Sequence, residues 1–211
     1  MVNKLSIVKE FAQNQLKNDK TGHDFNHILR VVKNAQLILA GESANSELVL
    51  VSAYLHDVFD DKLIEDPASK RQEVRQKLTE LGYPSNFIDQ VFEIIDNMSF
   101  SANLAQKKTL SIEGQIVQDA DRLDAIGAVG IARAFYYGGH FGETMYDPEI
   151  LPRQQMNKTA YRQPGTVINH FYEKLLKLKD QMNTITAQTI AKQRQRFMLD
   201  FLEKFKSEWG Q

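Results

Sequence analysis

Cysteine is absent from the 211 residues. That excludes disulfides, thiol catalysis, iron–sulfur clusters and cysteine-ligated zinc together. Any tightly held metal must rely on His, Asp and Glu, and only five His are present: His23, His27, His56, His140 and His170. An excess of charge of one sign is also missing, since 26 Lys and Arg face 27 Asp and Glu. No basic surplus draws the chain to nucleic acid or to an anionic membrane, and neither is expected as a partner. No apolar run approaches the roughly 18 residues needed to cross a bilayer. The first twenty residues are polar and amphipathic and lack the apolar core of a signal peptide. A cytoplasmic location is the expectation, and nothing in the chain excludes a homodimer.

What is present is an ordinary folding composition, 42% hydrophobic and 25% charged, which argues against disorder and for one domain over 1–211. Helical periodicity dominates and no stretch alternates with period two, so an all-α fold without a sheet is expected. The periodicity predicts helices near 5–17, 24–40, 47–59, 69–81, 85–98, 112–121, 122–137, 165–181 and 184–208. Gly41 and Gly82 are placed to stop the second and fourth. The third, ELVLVSAYLHDVF, is apolar nearly all round and should be buried at the centre. Residues 138–164 break the pattern, holding three of the five prolines and three of the eleven glycines. An irregular insertion of that length points to a flap that contacts substrate, with Tyr161 and Arg162 as candidates.

His-Asp occurs twice, at His23-Asp24 and His56-Asp57, where five His and fourteen Asp would give about 0.3 by chance. The second pair ends the most apolar helix. An imidazole and a carboxylate there must be paired, hydrogen-bonded or metal-bound, because burying them bare costs several kcal/mol. His27 lies on the preceding helix. If the two helices form an antiparallel pair around Gly41–Asn45, His27 and His56 come to similar heights, within about one helical turn. With Asp57 they make two nitrogens and one oxygen. A fourth ligand is available in QDADRLDA, where Asp119, Asp121 and Asp124 fall among apolar neighbours.

His27, then His56-Asp57, then an Asp in DADRLDA resembles the signature of the HD-domain superfamily of metal-dependent phosphohydrolases. Within it the chain resembles the small single-domain bacterial YpgQ-type branch. The matching stretches are HDFNHILRV (23–31), AYLHDVFDDK (53–62), EGQIVQDADRLDAIGAVGIARAFYYGG (113–139) and NHFYEKLLKLKD (169–180). The resemblance implies an HD-type helical bundle with its metal-site core at about 22–137, the flap at 138–164 and C-terminal helices at 165–208. It implies His27, His56, Asp57 and Asp121 as metal ligands, with Asp124 one turn along as a supporting residue.

Two imidazoles and two carboxylates suit a divalent ion with open positions. Mn²⁺ is the first choice, with Mg²⁺, Ni²⁺, Co²⁺ or Fe²⁺ as alternatives; Zn²⁺ held by four protein ligands would be closed and structural. Between Val58 and Ala120 there is no His, whereas dinuclear HD phosphodiesterases and HD oxygenases add histidines there. A mononuclear hydrolytic site follows. Asp60 and Asp61 stand four residues after His56 and Asp57. If the helix continues they project over those ligands, in an arrangement resembling the (p)ppGpp pyrophosphohydrolases. Asp60 is then the residue that orients or deprotonates the attacking water, and Asp61 the second candidate. Cations for substrate phosphates are Arg30, Lys62, Arg122, Lys174 and Lys177, with His23 one turn before His27. His140 and His170 read as surface and packing residues, and the aromatics Phe135, Tyr136, Tyr137, Phe171 and Tyr172 as core. The expected activity is hydrolysis of a nucleoside triphosphate to monophosphate and pyrophosphate. The alternatives are a nucleoside monophosphatase, a (p)ppGpp hydrolase, and a non-catalytic nucleotide-sensing HD domain.

Overall fold

The computed structural model describes residues 3–17, 24–58, 66–100, 103, 108–154 and 165–210. Nine α-helices lie among them: α1 Lys4–Leu16, α2 Phe25–Leu39, α3 Ser46–Leu55, α4 Pro67–Glu80, α5 Ser85–Met98, α6 Ile112–Asp124, α7 Gly127–His140, α8 Val167–Glu173 and α9 Ile185–Trp209. A 3-10 segment, Leu175–Gln181, joins the last two. The described residues contain no strand; a lone parallel bridge links Thr144 to Thr166. The all-α expectation holds.

Helix starts follow short polar side chains that satisfy orphan N–H groups. Asp24 accepts from His27 N, Asn45 from Leu48 N, Ser111 from Gly114 N and Thr184 from Ala187 N. Because α3 is apolar on every side, it can be satisfied only at the centre. It packs against α1, α2, α5 and α6, and Leu48, Val49, Val51, Ala53 and Leu55 are buried. At about 1.5–3 kcal/mol for each large buried side chain, this helix anchors the bundle and carries His56 into its interior. Helix α2 lies against both α3 and α6, and Asn34 Nδ2 donates to the Ala120 carbonyl of α6 at 3.1 Å. Thus α2, α3 and α6 meet where their functional residues are expected.

Several boundaries differ from the sequence reading. Helix α3 ends at Leu55 rather than near Phe59: His56 is its C-cap, and Val58 N donates to Leu55 O in a tighter i to i+3 turn. The helical relation that would set Asp60 over His56 and Asp61 over Asp57 therefore does not extend from α3. Asp60 and Asp61 themselves lie outside the described residues, as do His23, Lys62, Tyr161 and Arg162. The helix expected at 165–181 is broken at Lys174, whose φ is −134°. Beyond it Leu175 and Leu178 are buried, a spacing of three that eclipses on a 3-10 helix and not on an α-helix. Gly41 stops α2 without a positive φ. It is instead a close-approach position, where an added Cβ would lie 2.8 Å from Thr186 Oγ1.

The junction of α6 and α7 moves three residues later than expected, so Asp119, Asp121 and Asp124 all ride on α6. Gly127, at φ 80°, starts α7 in a conformation other residues rarely adopt. Phe135 and Phe171 join Phe201 and Phe205 in an aromatic cluster. Tyr136 and Tyr137, expected in the core, are exposed, because the face of α7 turned toward α8 and α9 runs through Ile131, Phe135 and Gly138 and leaves the two tyrosines off it. Beyond α7, Arg153 ties residues 141–154 to α8: its backbone N, Nε and NH2 all donate to the buried Glu173 carboxylate, at 2.6–2.9 Å.

Candidate metal centre

His27 is buried on α2, His56 caps α3, Asp57 follows it, and Asp121 sits on α6. Their donor atoms converge. His27 Nε2 lies 3.2 Å from His56 Nε2, 3.3 Å from Asp57 Oδ2 and 3.5 Å from Asp121 Oδ1. His56 Nε2 lies 3.4 Å from Asp57 Oδ1 and 3.9 Å from Asp121 Oδ1. Donors on one ion with bonds near 2.1 Å stand about 3.0–3.4 Å apart, so these separations match a shared cation with slight expansion. His27, His56 and Asp57 alone form a buried set able to hold a metal. Asp121 is the half-exposed member, with 34% of its side chain accessible, and so marks the side open to solvent.

Both imidazoles are oriented from behind. His56 Nδ1 donates to the Ala53 carbonyl at 2.9 Å, and His27 Nδ1 donates to Asp124 Oδ2 at 2.8 Å. With each Nδ1 committed as a donor, each Nε2 turns its lone pair toward the common point. Two facing lone pairs repel unless a cation or proton lies between them. The His27 imidazole accordingly takes up a proton readily in the metal-free state. Burial alone would lower its pKa, but hydrogen bonds to Asp124 and Asp57 outweigh burial and raise it to about 9. A divalent ion would occupy the same place, so the donor set fits a metal.

Asp124 is the hub of this support. Its side chain is 3% exposed. Besides His27 it accepts from Arg30 Nε at 2.7 Å, Arg30 NH2 at 3.1 Å and Arg133 NH1 at 2.8 Å. Burial would raise its pKa, yet the hydrogen bonds from His27 and Arg30 carry it well below the usual carboxylate range. Arg133 was not singled out in sequence, although it stands in the matching stretch 113–139, because a lone cation in a mostly apolar helix has no acid beside it along the chain.

Other residues singled out by sequence fall elsewhere. Arg30 shares a helix with His27, but its guanidinium is bound to Asp124, on the Nδ1 side of the ring. Arg122 is buried and donates to the Gln181 carbonyl. Asp119 accepts from the backbone and side chains of Asn183 and Thr184, fastening the start of α9 to α6. Lys174 lies over the Phe100 ring and Lys177 is exposed on the 3-10 segment. His140 is exposed and His170 half-buried, with burial and Lys174 pushing the His170 imidazole down to about 3.

The model of the HD domain matches residues 24–126, which contain all four converging residues. The Bacillus subtilis protein YpgQ is 40% identical over 202 residues, covering 95% of this chain and 91% of that protein. Its crystal structure in complex with ADP superposes with a TM-score of 0.78, at 35% identity and 97% coverage of both chains. A Lactobacillus plantarum protein of known structure reaches a TM-score of 0.91 at 46% identity, covering 100% of this chain and 99% of its own. An HD-superfamily hydrolase from Bacillus thuringiensis gives 0.76 at 42% identity, covering 98% and 97%. With this fold, this donor set and these relatives, the chain belongs to the HD-domain family, as a small hydrolase of the metal-dependent phosphohydrolase kind.

Proposed function

We propose that the protein hydrolyses nucleotides at the centre formed by His27, His56, Asp57 and Asp121, converting a nucleoside triphosphate to the monophosphate and pyrophosphate. The observation that carries this reading is the convergence of both Nε2 atoms on two carboxylates, with each Nδ1 engaged elsewhere. The nucleotide class is supported by YpgQ, whose crystal structure contains ADP. When bound, a divalent ion, Mn²⁺ first, supplies an acidified water and neutralises charge on a phosphoryl oxygen.

The chain's own residues do the remaining work. Asp124 and the Ala53 carbonyl hold the two imidazoles in the tautomer that leaves Nε2 unprotonated. Asp60 takes the proton of the attacking water, with Asp61 as the second candidate. The new bond joins that water oxygen to the α-phosphorus, the bond to the bridging oxygen breaks, and pyrophosphate departs. Lys62 and His23 hold the phosphates. Arg122, committed to Gln181, steadies the segment beside Asp121. The flap that follows α7, at 141–164, covers the substrate, and 1–211 acts as one unit on the nucleotides of the cytoplasm.

The test is a substrate panel with Mn²⁺, read separately for phosphate and pyrophosphate and paired with elemental analysis. Pyrophosphate release from triphosphates, absent in His56→Ala, is the expected result. Phosphate release from monophosphates, or pyrophosphate release from (p)ppGpp alone, would reassign the substrate. Nucleotide binding with equal background turnover in wild type and His56→Ala would replace hydrolysis with sensing.

A further inference from the structure

On the Nδ1 side of His27, behind the converging donors, an open groove of about 560 Å³ runs between α2, the start of α7 and α9. Asp124 is part of its lining, and Arg30, Lys33 and Arg194 line it around that single acid. Asp124 is already answered from within the protein by His27, Arg30 and Arg133. Arg194 donates to two neutral oxygens, Leu123 O and Asn34 Oδ1. Lys33 is exposed and has no ion-pair partner among the described residues. The groove therefore carries surplus positive charge, although the whole chain is near neutral.

Two further features give that charge a shape. Helix α7 opens on the groove at Gly127 without a side-chain cap, which leaves its first N–H groups available to an anion. Gly127 also lets Arg194 close in, because an added Cβ would stand 3.0 Å from its Cβ and Cγ. The remaining wall is apolar and accessible, with Leu37, Val129 and Phe197 exposed; Phe197 is 52% accessible. A guanidinium and an ammonium beside an exposed aromatic face suit a phosphate joined to a planar ring.

We infer that this groove is a second ligand site, separate from the metal centre, that binds a small phosphorylated molecule carrying a planar ring, a nucleotide by class. Its phosphates meet Arg30, Lys33 and the start of α7, and its ring lies on Phe197. Arg30 belongs to both places: it lines the groove and grips Asp124, which holds His27. Occupancy of the groove is thereby coupled to the metal centre, and the coupling is reciprocal.

ADP is the probe, titrated calorimetrically into the metal-free protein under chelator and into His56→Ala, in which the metal centre is dismantled. ADP should bind both. Lys33→Glu and Phe197→Ala, both at exposed positions, should each weaken that binding by about tenfold, while Lys33→Glu keeps the wild-type affinity for Mn²⁺. No ADP binding without metal, loss of binding in His56→Ala, or binding indifferent to both groove variants would each overturn the inference. Failure of the proposed hydrolysis would instead appear as absent turnover with this metal-independent binding intact.

Discussion

Asp124→Asn is the sharpest probe of the metal centre, because one buried carboxylate supports it through four hydrogen bonds. Three of them converge on Oδ2, from His27, Arg30 and Arg133, and the fourth places Arg30 Nε on Oδ1. Asparagine keeps the shape but removes the charge, and its NH2 must face a donor. His27 then loses the acceptor that fixes its tautomer. Losing such a partner lowers metal affinity about 10–100-fold, equivalent to about 1.4–2.7 kcal/mol. Stability should also fall, since breaking a buried ion pair from one side costs about 3–5 kcal/mol. The lower end applies here, because Arg30 is 35% exposed and can turn to water. Chelator competition for Mn²⁺ measures the first effect and urea unfolding of the metal-free protein the second. If Mn²⁺ affinity stays within about twofold of wild type, Asp124 does not position His27, whatever happens to stability.

His56→Ala should yield protein with no bound divalent ion by elemental analysis and no turnover, with helical circular dichroism retained. The metal-free protein should lose stability as pH rises. The raised pKa of His27 adds stability that is complete below the ordinary value of 6.5 and lost as pH climbs through about 9. The loss is about 3 kcal/mol, and urea midpoints on either side of that window should show it; saturating Mn²⁺ should flatten the slope, because the ion replaces the proton. Asp60→Asn should cut turnover by about 10²–10⁴-fold with metal content unchanged, and near-wild-type rates would remove Asp60 from the mechanism. Glu173→Gln strips Arg153 of its carboxylate. It should cost about 3 kcal/mol and speed proteolytic nicking between 141 and 154, which limited proteolysis would detect.

Much of the centre was legible because its logic is local. The two imidazoles are carried by helices whose apolar faces and short connection require an antiparallel pair, so the spacing of His27 and His56 predicted their meeting. DADRLDA advertised itself as acidic residues in an apolar setting. Arg30 shows where such reasoning stops. Three residues after His27 it shares a helix face, but a long side chain follows the nearest carboxylate, and Asp124 from α6 draws it to the far side of the ring. The end of α3 at Leu55 was equally hidden, since nothing in HDVFDD breaks a helix by propensity.

Periodicity and polarity therefore determined the all-α class, the central place of α3 and the candidate ligands, all of which depend on near neighbours along the chain. Periodicity left open which acid of α6 turns toward the donors; the resemblance pointed to Asp121, and the tertiary structure places Asp121 there and Asp124 behind His27. Only the tertiary structure brought Arg133 of α7 onto Asp124, set Arg194 of α9 against Leu123 O and Asn34, and opened the groove beside them. Those outcomes depend on how α2, α3, α6, α7 and α9 are rotated about one another, which is set by the summed packing of the whole core and by no single stretch of sequence.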